Sequence, residues 1–272
     1  GRMVSELVPG LEYPLTDPPA EGEVDDPEAQ TRVVQSTITL EGLGEVEVCG
    51  MVLPVFWDVA AILVLRESAS FLPDFVLMNG IAGSRQPLWL ELGSVNAAVA
   101  LPDGSGNLQP IEPGTKLVEE ASEEEHARGL LLSYHDVRAA VEARLNLLAP
   151  ELGESGVSFG ELLTGVRFAG FPRPSNTYLC NNTTYAMNYL FDHPYETVRL
   201  LRASHPRPGG PDGIDVALGQ NLARTPRVFV HWPKDLAGSH LGLGADLMAE
   251  IVRAQLSASE GPLRGDPALA DL

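Results

Sequence analysis

Apolar and polar residues alternate in two stretches near the start of the chain. This alternation predicts strands over residues 31–39 and 45–52, because successive side chains of a strand point to opposite faces. Gly42 and Gly44 lie between the two stretches and favour a tight turn. The sequence therefore predicts a β-hairpin.

A helical period of apolar residues follows in four other stretches. It predicts helices over residues 57–68, 136–148, 181–191 and 244–256. Residues 75–78 form a short, continuously apolar run instead, which is typical of a central parallel strand buried on both faces. The succession of a strand, a helix and this apolar strand predicts a βαβ unit, and therefore an α/β fold.

The length of the chain, 272 residues, allows one large domain with a substantial core. Residues 1–26 are rich in Pro, Glu and Asp and predict an irregular or partly disordered leader. Residues 27–256 are expected to form the α/β domain, with insertions near 112–165 and 193–225. The remainder, 257–272, is predicted to be a frayed tail.

Cys180 lies where a short apolar segment meets the predicted helix 181–191. The first N–H groups of a helix lack backbone partners and carry partial positive charge, so they lower the pKa of a thiol and can hold an oxyanion. A lone cysteine is more often a small buried residue, and the interpretation therefore depends on its partners. We interpret Cys180 as a nucleophile.

Two other apolar runs end in residues that could serve such a nucleophile. Residues 227–233 read Arg-Val-Phe-Val-His-Trp-Pro, a buried-strand pattern with His231 near its end. Residues 88–91 read Leu-Trp-Leu-Glu and end in Glu91. A nucleophilic thiol needs a base, and the base needs a group that orients it. The three residues predict a Cys-His-Glu triad.

Segments in the same order along the chain resemble the signatures of one known family. The segments are Ala82-Gly83-Ser84-Arg85 with Glu91 and Asn96, Leu101-Pro102-Asp103 with Gly106, Tyr178-Leu179-Cys180-Asn181, and Phe229-Val230-His231-Trp232-Pro233. They resemble the A-G-G-R, E and N spacing, the I-P-D-x-x-G turn, and the Y-L-C-N and F-I-H-x-P motifs of pyroglutamyl peptidase I, also called pyrrolidone-carboxylate peptidase. Weaker matches at Asp26-Pro27 and residues 52–55 extend the resemblance over residues 26–251.

The resemblance implies a fold and an activity. The fold is a single-domain, three-layer α/β/α arrangement with a largely parallel, mixed central sheet. The activity is that of a cysteine omega-peptidase, which removes an N-terminal pyroglutamyl residue from a peptide or small amide without a cofactor. Cys180 would be the nucleophile, His231 the base and general acid, and Glu91 the residue that orients His231. By analogy with the family, the chain would form a homo-oligomer.

Arg85, Ile81 and Leu179 are the candidate oxyanion or substrate-binding residues under this resemblance. Two positions depart from the family pattern. Ile81 stands where many members have a glutamine that binds the lactam, and Leu92 follows the acid where many have an arginine. The family's T-G-F-x-P-F loop has only a faint counterpart in residues 7–13. These departures affect the substrate pocket and leave the triad residues intact.

Charge and composition exclude several other classes. The chain has 18 Lys plus Arg against 37 Asp plus Glu, a net charge of -19, which argues against binding to nucleic acid or an anionic membrane. No apolar run approaches the roughly 20 residues of a membrane span, and residues 1–3 are not typical of a signal peptide. We therefore expect a cytoplasmic protein with Cys49 and Cys180 as free thiols. The histidines show no spacing typical of a metal site, so no metal is expected.

Two alternatives to a pyroglutamyl peptidase remain open. One is a related cysteine amidase with another small acyl substrate, which the altered residues Ile81 and Leu92 favour. The other is a non-catalytic binding or scaffold protein whose acidic insertions form the functional surface. A reactive thiol at Cys180 separates the two enzymes from the scaffold.

Overall fold

The computed structural model describes residues 2–14, 30–57, 59–82, 87–104, 109–110, 112–173, 177–200, 214–234, 236 and 238–271. The helices in this part of the chain are α1 (Arg2–Leu7), α2 (Ala60–Phe71), α3 (Tyr134–Leu148), α4 (Phe159–Leu162), α5 (Leu179–Asp192) and α6 (Leu241–Leu256). The strands are β1 (Arg32–Leu40), β2 (Gly44–Val52), β3 (Val76–Ala82), β4 (Leu88–Glu91), β5 (Gly93–Val95), β6 (Ala127–Gly129), β7 (Leu131–Leu132), β8 (Val166–Ala169), β9 (Val198–Leu200), β10 (Ile214–Val216), β11 (Arg227–Pro233) and β12 (Leu263–Arg264). Short 3₁₀ helices lie at Glu123–Glu125, Gly238–His240 and Pro267–Asp271.

A four-stranded sheet in the order β3-β11-β4-β8 forms the centre of the molecule. β11 runs parallel to β3, and β4 runs parallel to β8, whereas β11 and β4 are antiparallel. The sheet is therefore mixed and largely parallel. β11 is buried along almost its whole length, as a continuous apolar run predicts for an inner strand.

Side chains of β11 alternate between two hydrophobic clusters. Val228, Val230 and Trp232 pack with residues of α3 and α6, whereas Phe229 points to the opposite face and packs with α2 and α5. We call these the α3/α6 face and the α2/α5 face. Helices cover both sides of the sheet, so the three-layer α/β/α arrangement predicted from the sequence is confirmed.

The hairpin predicted near the start of the chain is also confirmed. β1 and β2 pair in an antiparallel register that ends at Leu40 opposite Gly44, and the turn contains Gly42 and Gly44, both with a φ angle of 81°. Glycine adopts such positive φ angles without the steric cost that a Cβ imposes. The pair forms a separate two-stranded sheet.

The predicted βαβ unit is wrong, because its first strand belongs to this separate hairpin. β2 pairs with β1 in the hairpin and does not join the sheet that contains β3. β3 is also an edge strand of the described sheet and not a central one. Its apolar sequence arises because Val76 and Met78 pack on the α2/α5 face while Phe75 and Leu77 pack on the α3/α6 face. Cover on both faces produces an apolar strand whether it lies at the edge or in the middle.

Both ends of the described chain pack onto the domain. Met3 and Val4 of α1 pack against the hydrophobic cluster of the α3/α6 face, so the leader begins as a helix, and residues 15–26 lie outside the described residues. The expectation of a frayed tail is wrong, because β12 pairs with β7 and the N–H of Gly265 donates to the carbonyl of Leu130 at 2.7 Å. Of the helices described, none combines the length and the hydropathy needed to cross a bilayer.

The two predicted insertions contribute to the core. Residues 112–165 contain α3, whose Val137 and Val141 are fully buried. In the stretch 193–225, the described parts contain the antiparallel pair of β9 and β10, and Val198 and Leu200 of β9 belong to the cluster of the α2/α5 face. These stretches are therefore not only surface excursions.

Candidate active site

Cys180 occupies a distinctive position in α5. From Leu179 to Phe191 every residue of this helix is buried except Cys180, whose side chain is partly exposed. A cysteine with a packing role alone would be expected to show the opposite pattern, since free Cys is among the most buried residue types. The exposed position of the thiol at the second residue of the helix agrees with the sequence-based interpretation.

Hydrogen bonds and ring packing fix the start of α5. The Asn182 N–H donates to the carbonyl of Tyr178 at 3.0 Å, and the Asn182 side-chain amide donates to the carbonyl of Trp57 at 2.9 Å. The rings of Trp57 and Tyr178 pack edge to face with centroids 5.3 Å apart. Both the backbone and the side chains around Cys180 are therefore held from the α2 side.

Asn181 ties the same turn to β5. Its side-chain amide donates to the carbonyls of Val95 at 2.8 Å and Ala97 at 3.1 Å, and its Oδ1 accepts from the N–H of Val95 at 2.9 Å. All of these groups are buried or partly buried, and a buried amide that satisfies its donors and acceptor in this way specifies one conformation. The asparagine of the Y-L-C-N motif thus orients the helix start.

His231 and Glu91 meet on the α2/α5 face of the sheet. His231 shares this face with Phe229 because the two are separated by one residue on β11. Val230 pairs with Leu90 in the antiparallel register, so Glu91 at the end of β4 points to the same face as His231. The distance from His231 Nδ1 to Glu91 Oε1 is 2.6 Å. The carboxylate is 2% exposed and the imidazole 12%.

Cys180 is the other group that acts on the imidazole of His231, and its interaction with the ring is among the causes that raise the His231 pKa. Because Nδ1 faces Glu91, the thiol interacts with the Nε2 side of the ring. Gly80 on β3 pairs with His231 in the parallel register. A methyl group at Gly80 would lie 3.1 Å from the Cys180 Sγ and 2.8 Å from the ring of Phe229, so the absence of a side chain there leaves the space that the thiol occupies.

The protonation of His231 follows from these partners. Burial of the ring lowers its pKa, but the hydrogen bonds to Cys180 and Glu91 and the charges of these groups outweigh burial and raise the pKa to about 9. The imidazolium is therefore favoured at neutral pH. An imidazole held between a carboxylate and a thiol is placed to exchange a proton with a nucleophile.

Arg173 is a residue of the site that no sequence pattern singled out. Its Nη2 donates to Glu91 Oε1 at 2.6 Å, the same oxygen that contacts His231. Arg173 lies in the loop after β8, outside any periodic pattern and outside the quoted motifs. Only the fold brings this loop beside Glu91, because β8 is the neighbour of β4 in the sheet.

The three predicted binding residues have different outcomes. Arg85 lies outside the described residues. Ile81 is 70% exposed, but it follows Gly80 on β3 and so points to the face away from Cys180. Leu179 is 6% exposed and belongs to the hydrophobic cluster of the α2/α5 face. Strand alternation thus directs the Ile81 side chain away from Cys180, and the core encloses the Leu179 side chain. The binding role of the three residues stays a prediction.

The other motif residues have structural contacts near the site. Tyr178 donates its hydroxyl to the carbonyl of Pro102 at 2.6 Å, and Trp57 Nε1 donates to the carbonyl of Leu101 at 2.9 Å. The Leu101-Pro102-Asp103 turn therefore lies against the residue two before Cys180. Asn96 accepts from two backbone N–H groups through its Oδ1 and shapes the loop after β5.

The arrangement is chemically that of a nucleophilic thiol with an oriented base. Among the described residues, no group of three or more His, Cys, Asp or Glu side chains is positioned to hold a metal ion. Cys49, the other cysteine, is free and lies on β2. Burial is the main cause that raises its pKa, and the nearby charge of Glu67 adds to this. Cys49 is therefore a thiol at neutral pH.

Comparisons with known proteins gave matches among solved structures. The chain is similar to pyrrolidone carboxyl peptidase from Thermococcus litoralis at 19% identity and a TM-score of 0.46, over 75% of this chain and 74% of that one. It is similar to pyroglutamyl peptidase I from Bacillus amyloliquefaciens at 15% identity and a TM-score of 0.46, over 75% and 76% of the two chains. A mutant pyrrolidone carboxyl peptidase from Pyrococcus furiosus matches at 16% identity and a TM-score of 0.48, over 76% and 80%. No protein-family model matches the chain, and no curated protein matches it. The structural neighbours carry the names of the family that the sequence motifs resemble.

Proposed function

We propose that the chain is a cysteine peptidase that hydrolyses the amide bond after an N-terminal pyroglutamyl residue. The observation that carries the proposal is the continuous contact of Cys180, His231 and Glu91. These residues come from segments far apart in sequence, and each lies in a motif that resembles pyroglutamyl peptidase I. A packing role for Cys180 does not account for its exposure in an otherwise buried helix.

The first half of the reaction is acylation of Cys180. The thiolate attacks the carbonyl carbon of the pyroglutamyl residue, and a carbon–sulfur bond forms as the carbonyl oxygen becomes an oxyanion. The N–H groups at the start of α5 are suited to stabilise this oxyanion, because they lack intrahelical partners. The imidazolium of His231 then donates its proton to the leaving amine as the carbon–nitrogen bond breaks.

The second half releases the acyl group. The neutral imidazole of His231 accepts a proton from water, and the resulting hydroxide attacks the thioester. The carbon–sulfur bond breaks, pyroglutamate leaves, and the thiolate–imidazolium pair is restored. Glu91 keeps Nδ1 protonated and stabilises the imidazolium formed at each stage. We propose the cytoplasm as the site of action, since both Cys49 and Cys180 are free thiols.

A related amidase with another small acyl substrate is the second candidate. The observation that favours it is the absence, among the described residues, of the polar contacts that the family pattern has at two positions. Ile81 replaces the lactam-binding glutamine and points away from Cys180, and Leu92 is fully buried in the cluster of the α3/α6 face. The nucleophile and its base would be the same in both enzymes.

Release of aminomethylcoumarin from its pyroglutamyl amide tests the proposal. We expect turnover by the wild type and a loss of about a thousandfold or more in Cys180→Ala, with Cys49→Ala as a matched control that keeps full activity. Alkylation by iodoacetamide near neutral pH, followed by mass spectrometry, should modify Cys180 well before Cys49. Selective alkylation without turnover of the pyroglutamyl amide would favour the second candidate. A Cys180 no more reactive than Cys49 would overturn both.

A further inference from the structure

Arg173 and His231 both contact the same oxygen of the buried Glu91 carboxylate. Arg173 Nη2 and His231 Nδ1 each lie 2.6 Å from Glu91 Oε1, and the Glu91 side chain is 2% exposed. The Arg173 side chain remains 33% exposed, so one end of this contact chain reaches solvent. The acid of this triad is therefore contacted by a guanidinium as well as by the base.

The shared oxygen couples Arg173 to the base electrostatically. Because both nitrogens contact the same atom, they are at most about 5 Å apart, a distance at which like charges disfavour each other's protonated form. Arg173 therefore has two opposing influences. It pairs with the buried Glu91 carboxylate and offsets the cost of burying that charge. Its positive charge also offsets part of the attraction by which the Glu91 carboxylate stabilises the imidazolium of His231.

We propose that Arg173 is a positioning residue, which holds the Glu91 carboxylate in the orientation that directs His231 toward Cys180. The proposal rests on the proposed function, because it assigns a role in that reaction. Arg173 itself touches neither the thiol nor the imidazole in the contacts described, and it acts through Glu91. It lies in no motif of the family that the chain resembles.

Few titratable groups other than Arg173 face Glu91 and His231 in the described part of the chain. Cys180 contacts the imidazole from α5. Tyr134 of α3 lies on the other face of the sheet, and burial is the main cause that raises its pKa, so its phenol stays neutral. Arg173 is therefore the charged side chain that contacts Glu91 together with His231 in this part of the chain.

The pKa of His231 in Arg173→Met tests this role without any substrate. Removal of the positive charge should favour the imidazolium, and we expect the His231 pKa to increase by about half a unit to one unit. Arg173→Lys keeps the charge but not the planar guanidinium, so its His231 pKa should stay near the wild-type value. The measurement is a pH titration of nitrogen-15-labelled histidines by NMR, with His231 assigned from His231→Gln. Arg167→Met, an exposed arginine on β8, is the matched control and should leave the pKa unchanged.

Turnover then separates positioning from a structural role. In Arg173→Met we expect kcat to fall about tenfold with KM changed less than about twofold, because the orientation of the base is lost while substrate contacts remain. Arg173→Lys should recover part of this loss. A fall in kcat without a shift of the His231 pKa would show a purely structural role and overturn the proposal, as would an equal shift in Arg167→Met. If the pKa shift is present but the pyroglutamyl amide is not turned over, the positioning by Arg173 stands and the substrate assignment is wrong.

Discussion

The two ends of α5 each meet β11 in a cluster of charged side chains, and the clusters differ in what their charges can do. At the start of the helix, Cys180 contacts His231 near the end of β11. At its last residue, Asp192 pairs with Arg227, the first residue of β11, at 2.7 Å. The same helix and strand therefore support two polar sites at opposite ends of the sheet.

The cluster at Asp192 is built from permanent charges. Arg227 and Arg264 donate to its Oδ1 at 2.7 and 2.5 Å, and Arg128 donates to its Oδ2 at 2.5 Å. Arg227 is fully buried, and burial is the main cause that lowers its pKa to about 10, so the guanidinium stays charged at neutral pH. It also donates to Asn188 Oδ1 at 2.8 Å.

The helix dipole explains part of the difference. A carboxylate at the C-terminal end of a helix is disfavoured by the partial negative charge there, so Asp192 depends on the arginines around it. The partial positive charge at the N-terminal end favours negative charge that develops there, beside Cys180. One cluster therefore fixes the packing of α5 on the sheet, whereas the other keeps a group that can exchange its proton near neutral pH.

Glu91→Gln should produce the largest effect and confine it to the start of the helix. The amide keeps the volume of the side chain but cannot stabilise the imidazolium, and it allows the wrong tautomer of His231. By comparison with triads of this type, we expect kcat to fall by roughly 10³ to 10⁴. The rate of release from the pyroglutamyl amide is the measurement.

Stability is the control for this substitution. Glu91→Gln should still show the urea unfolding transition of a folded protein, because the Asp192 cluster remains intact. A variant that keeps more than about a tenth of the wild-type rate would show that Glu91 is not the orienting acid.

Asp192→Ala should have the converse effect and lower stability with little effect on chemistry. It removes the carboxylate that three arginines share and leaves Arg227 buried without its charged partner. Removal of one partner of a buried pair costs about 3 to 5 kcal/mol in the free energy of unfolding, which urea titration measures. Activity per folded molecule should stay within about twofold of wild type, since the site at the other end of the helix is untouched.

An exposed pair offers a matched control for Asp192→Ala. Arg199 and Asp215 form a bidentate pair between β9 and β10, and Asp215 is 56% exposed. Asp215→Ala removes the same functional group from a hydrated position, and its effect on the unfolding free energy should be small. Equal losses in the two variants would contradict the distinction between a buried and a hydrated carboxylate.

Local patterns were sufficient to predict several parts of the molecule. Alternation with two glycines predicted the β1–β2 hairpin, and a helical period predicted the helices on both faces of the sheet. Cys180, His231 and Glu91 could be selected because each ends or begins an apolar element, where a buried strand or helix exposes a functional group. The motif resemblance supported the same three residues.

Long-range arrangement was not predictable from the same patterns. Strand order depends on pairing between residues far apart, so an apolar run such as β3 gave no indication that it lies at an edge of the described sheet. Arg173 and Gly80 belong to the site only because β8 and β3 pass beside β4 and β11. Their contacts with Glu91 and Cys180 have no counterpart in sequence spacing, and the burial of Leu179 likewise depends on the packing of α5.

The pH dependence of stability gives the smallest and most specific test of the comparison. The pKa of His231 is raised to about 9 in the folded protein. Its contribution to the free energy of unfolding is therefore complete below the unfolded-state pKa of about 6.5 and is lost as the pH rises through about 9. The pKa of Asp192 is lowered: burial alone would raise it, but the arginine contacts outweigh burial. Its contribution is therefore present above about pH 4 and is lost as the pH falls further.

The difference in unfolding free energy between wild type and His231→Gln should shrink between pH 6.5 and 9, by up to about 3 kcal/mol. Over the same range the difference between wild type and Asp192→Ala should stay constant and decrease only in acid. Urea unfolding across this range measures both differences. If the two differences changed with pH in the same way, this would contradict the contrast between the His231 end of α5, which titrates in this range, and the Asp192 end, which keeps its charge.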